Sequence, residues 1–222
     1  MNNLKGEISM SDSEKLTVSE KGLIVLKSAI NALPYVGGSL STLIFDWTNE
    51  KRIKRLESFY YEITSFIKEN NIVLPDIGVH DKDSLVALIE ELHTKIEHEH
   101  RVFERNCLMK FYLNSLSTST NNQNFDERTF FLDSLSSMTV LECEILSSLM
   151  KVNRLVPVTE ISKPGTSIYA IVGAIGRLKA YGYLTSVTTT IVFDGQSESA
   201  FNESVKTTPF GKSFIEFCLF DI

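Results

Sequence analysis

The side chains best suited to chemistry in this sequence are histidines and glutamates on one stretch, where the pattern Glu-x-x-His occurs twice in line. His93, Glu97 and His100 stand at positions i, i+4 and i+7, so one continuous helix would place them on the same face. Glu104 follows at i+11 and extends that face. Imidazole nitrogens and carboxylate oxygens are common ligands of transition metals. This spacing makes His93, Glu97 and His100 the candidate metal ligands.

The same spacing argues against a shared metal ion. His93 and His100 lie two turns apart, about 10 Å at a rise of 1.5 Å per residue, which is too far for one ion to bridge. Carboxylate metal sites in helical bundles take their Glu-x-x-His units from two different helices and add Glu from two others. The sequence therefore predicts no resident metal at these residues. It predicts either a solvated, mixed-charge face or a surface for a partner protein.

Other catalytic patterns are missing from the sequence, which contains neither Gly-x-Ser-x-Gly nor a P-loop. Gly173 and Gly176 fall inside a predicted helix, which favours close packing over phosphate binding. The cysteines are far apart and odd in number, which argues against a disulfide framework and favours a reducing cytoplasm. These are Cys107, Cys143 and Cys218, and none has a basic neighbour arranged to lower its pKa. We expect no enzymatic activity and no cofactor.

Charge and composition narrow the class of protein. The 222-residue chain is 43% hydrophobic, so it can bury a core, and its formal net charge is −6. Neither half, divided at residue 120, has an excess of Lys and Arg, whereas a nucleic-acid-binding domain usually does. The first residues lack the apolar core of a signal peptide, and we expect a cytoplasmic protein.

Residues 22–47 form an apolar stretch near the N-terminus. Residues 28–45 carry no charge, a length at the lower edge of a membrane span. Pro34 ends a helix, and Gly37 and Gly38 supply a tight turn or a close approach. The favoured interpretation is two apolar helical segments that meet at this Pro-Gly-Gly hairpin inside a bundle. A membrane-active hairpin, which would associate with the membrane on activation, and a constitutive single span are the alternatives.

A cluster of cations follows the apolar stretch, in the first turns of a predicted amphipathic helix. Positive charge near a helix N-terminus opposes the helix dipole, so the cluster does not serve helix stability. A solvated face is one interpretation. Contact with an anionic partner, either lipid headgroups beside residues 22–47 or nucleic acid, is the other. The residues of the cluster are Lys51, Arg52, Lys54 and Arg55.

Composition also predicts the domain boundaries. A long helix is predicted over residues 82–115, and the low-complexity polar stretch that follows it is the best linker in the chain. The predicted segments are a flexible N-terminus at 1–18, a helical domain at 19–116, a linker at 117–126 and a second domain at 127–222.

Signals in the second domain follow the order helix, short helix, helix, β-hairpin, helix, which is that of a winged helix-turn-helix. Thr139 and Glu142 form a capping box at the start of the first of these helices. The β-branched run at 185–193 predicts a strand, and residues 203–207 predict its return. Residues 208–211 open the last helix. The predicted fold is mainly α, an N-terminal helical bundle followed by a winged helix-turn-helix with a β-hairpin wing.

Three phrases in this domain resemble bacterial winged-helix regulators of the MarR type: LECEILSSLM at 141–150, AIGRLKAYGYLT at 174–185 and TTPFGKSFIEFC at 207–218. In such proteins a helix like 167–181 reads the DNA major groove, and a wing like 185–207 straddles the backbone. Winged helices also serve as protein-interaction and dimerisation modules, so the resemblance implies the fold more directly than the function.

Charge in this domain favours protein contacts over DNA. The cations of the would-be reading helix come late in it, whereas base-reading residues usually occupy the first half. The wing carries acids, so few phosphates could be neutralised and little counterion would be released. A DNA-binding transcriptional regulator is the alternative function. The candidate contacts for nucleic acid or a partner protein are Lys163, Ser167, Tyr169, Arg177 and Lys179.

The first half of the chain resembles a second family. A Pro-Gly-Gly apolar hairpin at 33–45, the cation cluster, the phrase RLESFYYEI and a long helix resemble the Abi-alpha family of bacterial abortive-infection proteins. The C-terminal parts of that family commonly end in a winged-helix-like region with a TPFG-type final helix start. The resemblance implies phage defence and no catalytic residue. We therefore expect a non-enzymatic defence protein that contacts partner proteins, as a homo-oligomer or as a subunit of a defence system.

Overall fold

The structure, a computed structural model, describes residues 50–99, 101–152, 154–188 and 202–219. Over these residues the protein is mainly helical with a small three-stranded antiparallel sheet, which confirms the predicted fold class at that level. The chain divides into two compact units after Ser65. No helix within the described ranges is long and apolar enough to cross a membrane. The predictions for Pro34, Gly37, Gly38 and the rest of 1–49, for His100 and for most of the wing lie outside the described residues.

The first described helix, α1, runs over Glu50–Glu69 and carries the predicted apolar stripe. Leu56, Phe59, Tyr60 and Ile63 are buried, at the 3- and 4-residue steps that place side chains on one side of a helix. The 3–4 spacing thus predicted both the helix and its buried face.

The predicted single helix over 82–115 is wrong, because the chain breaks into α2 at Lys82–His98 and α3 at Val102–Ser117. Glu99 and Arg101 have extended backbones at the break. The Glu99 carboxylate accepts hydrogen bonds from the Arg101 backbone N–H at 2.8 Å and from its Nη2 at 3.0 Å. The break lets the two helices pack against each other, so both bury their apolar faces. It contains neither Pro nor Gly, the residues that usually announce a break.

The polar stretch that was predicted as the linker, 117–126, lies within the second compact unit. The Thr120 carbonyl accepts a hydrogen bond from the Asp81 N–H at 2.7 Å. Arg128 is 6% exposed, and its guanidinium donates to the Ser119 carbonyl at 2.8 Å and to the Thr118 hydroxyl at 2.7 Å. It also donates to the Thr120 hydroxyl. These bonds hold the stretch as an ordered turn between α3 and the next helix.

The remaining elements follow the predicted order. The Glu142 carboxylate accepts from the Thr139 N–H at 2.6 Å, and the Thr139 hydroxyl accepts from the Glu142 N–H at 3.3 Å, so the capping box is confirmed. The predicted short helix is reduced to one 3-10 turn, Val158–Glu160. The elements are α4 at Phe125–Ser137, α5 at Val140–Val152, β1 at Val156–Pro157, α6 at Ile168–Ala180, β2 at Leu184–Thr188, β3 at Glu203–Thr207 and α7 at Pro209–Cys218.

The sheet has the order β1-β3-β2, so β3 is the central strand and pairs with β1 on one side and with β2 on the other. Val205 of β3 pairs with Val156 of β1 and with Ser186 of β2. Val205 is fully buried, whereas β2 alternates toward solvent. β3 is therefore the strand that joins the sheet, since it pairs with both other strands and its Val205 is buried.

An aromatic cluster fixes α7 against α4 and the start of β2. The Tyr183 ring stacks on Phe214 with centroids 4.3 Å apart, and its hydroxyl lies 2.5 Å from the Ser134 hydroxyl. Phe131 packs edge-on against Phe214 at 5.5 Å. Phe131, Tyr183 and Phe214 are buried almost completely, so this cluster forms the core of the second unit at that end.

The first turn of α7 approaches the chain before β2 closely. Thr208 caps the helix, since its hydroxyl accepts from the Gly211 N–H at 2.9 Å, while its own N–H donates to the Tyr183 carbonyl at 3.0 Å. A Cβ placed on Gly211 would lie 3.0 Å from the Tyr183 carbonyl carbon and closer still to its oxygen. Glycine is required at this point because no side chain fits between the two backbones.

Candidate functional site

The residues of the candidate metal face lie on both sides of the break between α2 and α3, and one candidate ligand, His100, lies outside the described residues. His93 and Glu97 are on α2, Glu104 is on α3, and all three are buried. At these three positions, the face that was predicted to be solvated or to contact a partner protein is therefore buried. Burial lowers the pKa of His93 to about 4, so its imidazole is neutral at pH 7. Among the described residues, no group of three or more His, Cys, Asp or Glu side chains is arranged to hold a metal ion.

Glu104 has a local structural contact. Its Oε1 lies 2.6 Å from Nη1 of Arg101, which also contacts the Glu99 carboxylate. Arg101 thus links the last residue before the break to the first turn of α3. The ion pairs of Arg101 therefore connect the end of α2 with the start of α3. Residue spacing on an unbroken helix could not predict this role.

All three cysteines of the chain are free and buried. Burial raises the pKa of the Cys107 thiol to about 12, and it also raises the pKa values of Cys143 and Cys218. Because the thiolate is the reactive form, these side chains are poor nucleophiles in the folded state.

A thiol-labelling experiment checks this expectation. We expect 5,5′-dithiobis(2-nitrobenzoate) at pH 8 to label none of the cysteines in the folded protein and all of them in guanidinium chloride. Rapid labelling of one cysteine in the folded protein would show that its thiol is accessible and ionised. The Cys107→Ser, Cys143→Ser and Cys218→Ser variants would then identify it.

Arg177, on α6, binds residues of its own chain. Its Nε lies 3.2 Å from Oε1 of Glu142, a carboxylate that is 1% exposed. Its Nη2 donates to the Ser137 carbonyl at 2.7 Å and to the Tyr181 hydroxyl at 2.9 Å. The capping-box glutamate therefore has a second role, since it also positions a cation from a helix that is distant in sequence.

The other two cations of this candidate surface are also paired. Lys163 pairs with Glu144, and Lys179 Nζ lies 2.5 Å from Oε2 of Glu203. Each of the three cations of this surface therefore has a carboxylate within ion-pair distance. The sequence indicated a low charge for this surface. It did not indicate that the remaining cations are compensated one by one.

The start of α6 presents two further candidate contacts. Ser167 is the N-cap, and its hydroxyl accepts from the Tyr169 N–H at 3.3 Å. The Tyr169 side chain is 65% exposed, which is unusual for a large aromatic residue. Ser167 is exposed as well, so both residues stay candidates for contact with a partner.

The exposed face of α6 consists largely of small residues. Ala170, Gly173 and Gly176 are exposed. A Cβ placed on either glycine meets no atom of the described protein within 4 Å, so the predicted close packing does not occur within this part of the chain. Glycine inside a helix costs roughly 0.5–1 kcal/mol relative to alanine. The two glycines weaken α6 without a contact here that needs them.

A groove of about 460 Å³ lies between α5 and the start of α6. It lies beside the 3-10 turn at Val158–Glu160, and its walls are mainly apolar. Glu144, Glu160 and Lys163 also line it. Apolar residues of the walls include Ile145, Leu149, Val152, Val156, Ile161 and Ile171.

The four cations near the N-terminus of α1 all lie on that helix. Lys54 is exposed and Arg55 is half-buried. Lys51 and Arg52 are placed on the helix by its backbone, and their side chains lie outside the described part of the structure. An anionic partner for this cluster stays a prediction.

Comparisons of the chain with protein-family models, with curated proteins and with solved structures give no match. The second unit offers two features of interest: the exposed, charge-compensated face of α6 and the groove beside α5.

Proposed function

We propose that this protein is a non-enzymatic bacterial phage-defence protein of the abortive-infection kind, which acts through protein–protein contacts made by a C-terminal winged-helix module. The observation that carries the proposal is the surface formed by α6 and the turn before it: small residues predominate on the exposed face of the helix, and Lys163, Arg177 and Lys179 are each paired with a carboxylate. The phage-defence setting is supported by the resemblance at residues 33–45 and the phrase that follows the cation cluster.

The order of elements from α5 onward supports the winged-helix assignment. A helix, a short strand, a turn, a second helix, a β-hairpin and a final helix follow one another, and the sheet order is β1-β3-β2. The described residues of the hairpin, 184–188 and 203–207, form its base. One departure is the 3-10 turn that stands where the first helix of the helix-turn-helix is expected.

Electrostatics favour a protein partner over DNA. The affinity of a protein for DNA depends on how many phosphates its cations neutralise, because each such contact releases counterions. On this surface Glu144, Glu142 and Glu203 already neutralise the three cations. A phosphate brought to any of them would also approach the carboxylate, and the resulting repulsion would offset much of the attraction.

The glycines of α6 favour a closely packed partner helix. Gly173 and Gly176 lower helix stability, and within the described structure nothing approaches them. Helices that cross over small residues can approach more closely than the usual 8–10 Å between axes. A second copy of this chain, with its own α6, is the partner that we propose for this face.

Association of the full-length chain tests the proposal. We expect sedimentation equilibrium to detect a self-associating protein, and we expect Gly173→Glu to weaken that association at least tenfold. A carboxylate at this position would both occupy the contact and charge it. Gly173→Ala is the matched control, because alanine is also a small residue. Its affinity for self-association should stay close to that of the wild type.

The same variants connect the contact to defence. Cells that express the wild type are expected to show a reduced plating efficiency for a susceptible phage, and cells with Gly173→Glu at equal protein level are expected to lose that protection. A monomeric wild type that Gly173→Glu leaves unchanged would overturn the proposed contact. Tight, salt-dependent retardation of a random DNA duplex at about 50 mM salt would favour the transcriptional regulator instead.

A further inference from the structure

We propose that the groove between α5 and α6 binds a small apolar molecule that carries one ammonium group. The site is separate from the proposed contact on α6, because Ile171, the α6 residue that lines the groove, is buried, whereas Gly173 and Gly176 are exposed. The two proposals can therefore fail independently.

The size and walls of the groove suit a small molecule. Its volume of about 460 Å³ falls within the range of about 300–1,000 Å³ that is typical of small-molecule sites. Ile145, Leu149 and Ile171 form buried walls on two helices, and Val156 adds a wall from β1. Regular secondary structure on these sides keeps the apolar surface preformed, so little ordering is needed on binding.

The charged residues that line the groove decide the sign of the ligand. Glu144 and Glu160 contribute two carboxylates, and Lys163 contributes one ammonium group. Lys163 pairs with Glu144, which leaves one carboxylate in excess among the lining residues. The excess carboxylate would repel an apolar anion, whereas an ammonium group on the ligand would form an ion pair with it.

Glu160 is available to a ligand because its present partner holds it weakly. Arg154 does not line the groove, and its Nη2 lies 3.3 Å from Oε2 of Glu160. Both side chains are more than half exposed. Exposed pairs of this kind contribute only about 0–1 kcal/mol, so exchange of Arg154 for a ligand ammonium has a small cost.

One polar side chain in the wall has no partner of its own. Ser147 lines the groove, is 7% exposed, and its hydroxyl makes no hydrogen bond within the described structure. A buried hydroxyl without a partner costs about 1–3 kcal/mol. The Ser147 oxygen is shielded from solvent, so the excess carboxylate of the lining, rather than this hydroxyl, indicates an amphipathic ligand.

A matched series of probes tests the proposal on the full-length chain. Decylammonium, decanol and decanoate share one apolar chain and differ in charge. We expect isothermal titration calorimetry at pH 7, below the concentrations at which these compounds form micelles, to show decylammonium binding at least tenfold more tightly than decanoate. Decanol should fall between them. Equal affinities, or a preference for decanoate, would overturn the assigned charge.

Two substitutions of valine locate the site. Val152→Lys places a cation on the groove at a half-exposed helix position, and we expect it to reduce decylammonium binding at least tenfold. Val102→Lys makes the same change at an exposed position on α3 outside the groove, and binding should be retained. Undiminished binding to Val152→Lys would place the probe elsewhere and overturn the proposal. Glu160→Gln, with Glu216→Gln as its exposed control, should lower the preference for decylammonium.

Discussion

Replacing Gly211 with alanine is expected to lower the free energy of unfolding by about 3 kcal/mol, at the upper end of overpacking effects. The added Cβ would lie 3.0 Å from the carbonyl carbon and from the Cα of Tyr183, and closer to the carbonyl oxygen. The obstacle is backbone, so no side-chain rotation relieves it. The first turn of α7 must move away, which strains the Thr208 cap and the Tyr183–Phe214 stack.

Urea unfolding of the full-length chain measures this effect. Gly173→Ala is the matched control, because it makes the same chemical change inside a helix where a Cβ meets no described atom. The control should gain about 0.5–1 kcal/mol, since alanine is the better helix former. If Gly211→Ala unfolds at the urea concentration of the wild type or above it, the close approach of α7 to Tyr183 is wrong.

Acidification from pH 7 to pH 4 is expected to remove about 3 kcal/mol of stability through His93 alone, at 1.36 kcal/mol per pKa unit. Burial lowers the folded-state pKa of this imidazole from 6.5 to about 4. Between these values the unfolded chain binds a proton that the folded protein excludes. The contribution is therefore complete above pH 6.5 and is lost as the pH falls through 6.5 toward 4.

The difference between the wild type and a His93→Gln variant isolates this contribution, because other acid-sensitive groups are common to both. Asp81 is one such group, because hydrogen bonds from Ser84 lower the pKa of its carboxyl. Urea unfolding at several pH values between 7 and 4 should give a flatter pH profile for the variant, whatever its stability at pH 7. Parallel profiles for the two proteins would mean that His93 is solvated or carries a proton when folded.

Local patterns in this sequence predicted local structure. The capping box at Thr139 and Glu142 and the start of α7 at Thr208 depend on residues three positions apart, so the sequence contains all the information needed. The apolar stripe of α1 is of the same kind. Each follows from the geometry of a single turn or a single helix face.

Features that depend on distant residues were not predictable from one sequence. Arg177 binds the carbonyl of Ser137, which is 40 residues away, and no spacing rule connects the two. The break after α2 likewise contains no proline or glycine that would predict it. It allows the apolar faces of α2 and α3 to pack against each other, and this packing depends on residues that are distant in sequence. The predicted candidate metal face does not form as one helix face, because its geometry assumed one straight helix.

The ordered turn held by Arg128 has a consequence for how this chain can be altered. A polar loop that only joins two elements tolerates added or deleted residues, because lengthening a flexible loop costs little entropy. Here Thr118, Ser119 and Thr120 meet one guanidinium, so an insertion among them would shift at least one acceptor out of reach. A fragment cut at residue 127 would keep Arg128 and lose all three acceptors. Residues 127–222 therefore cannot be excised without breaking these hydrogen bonds, although their composition predicts a separate domain.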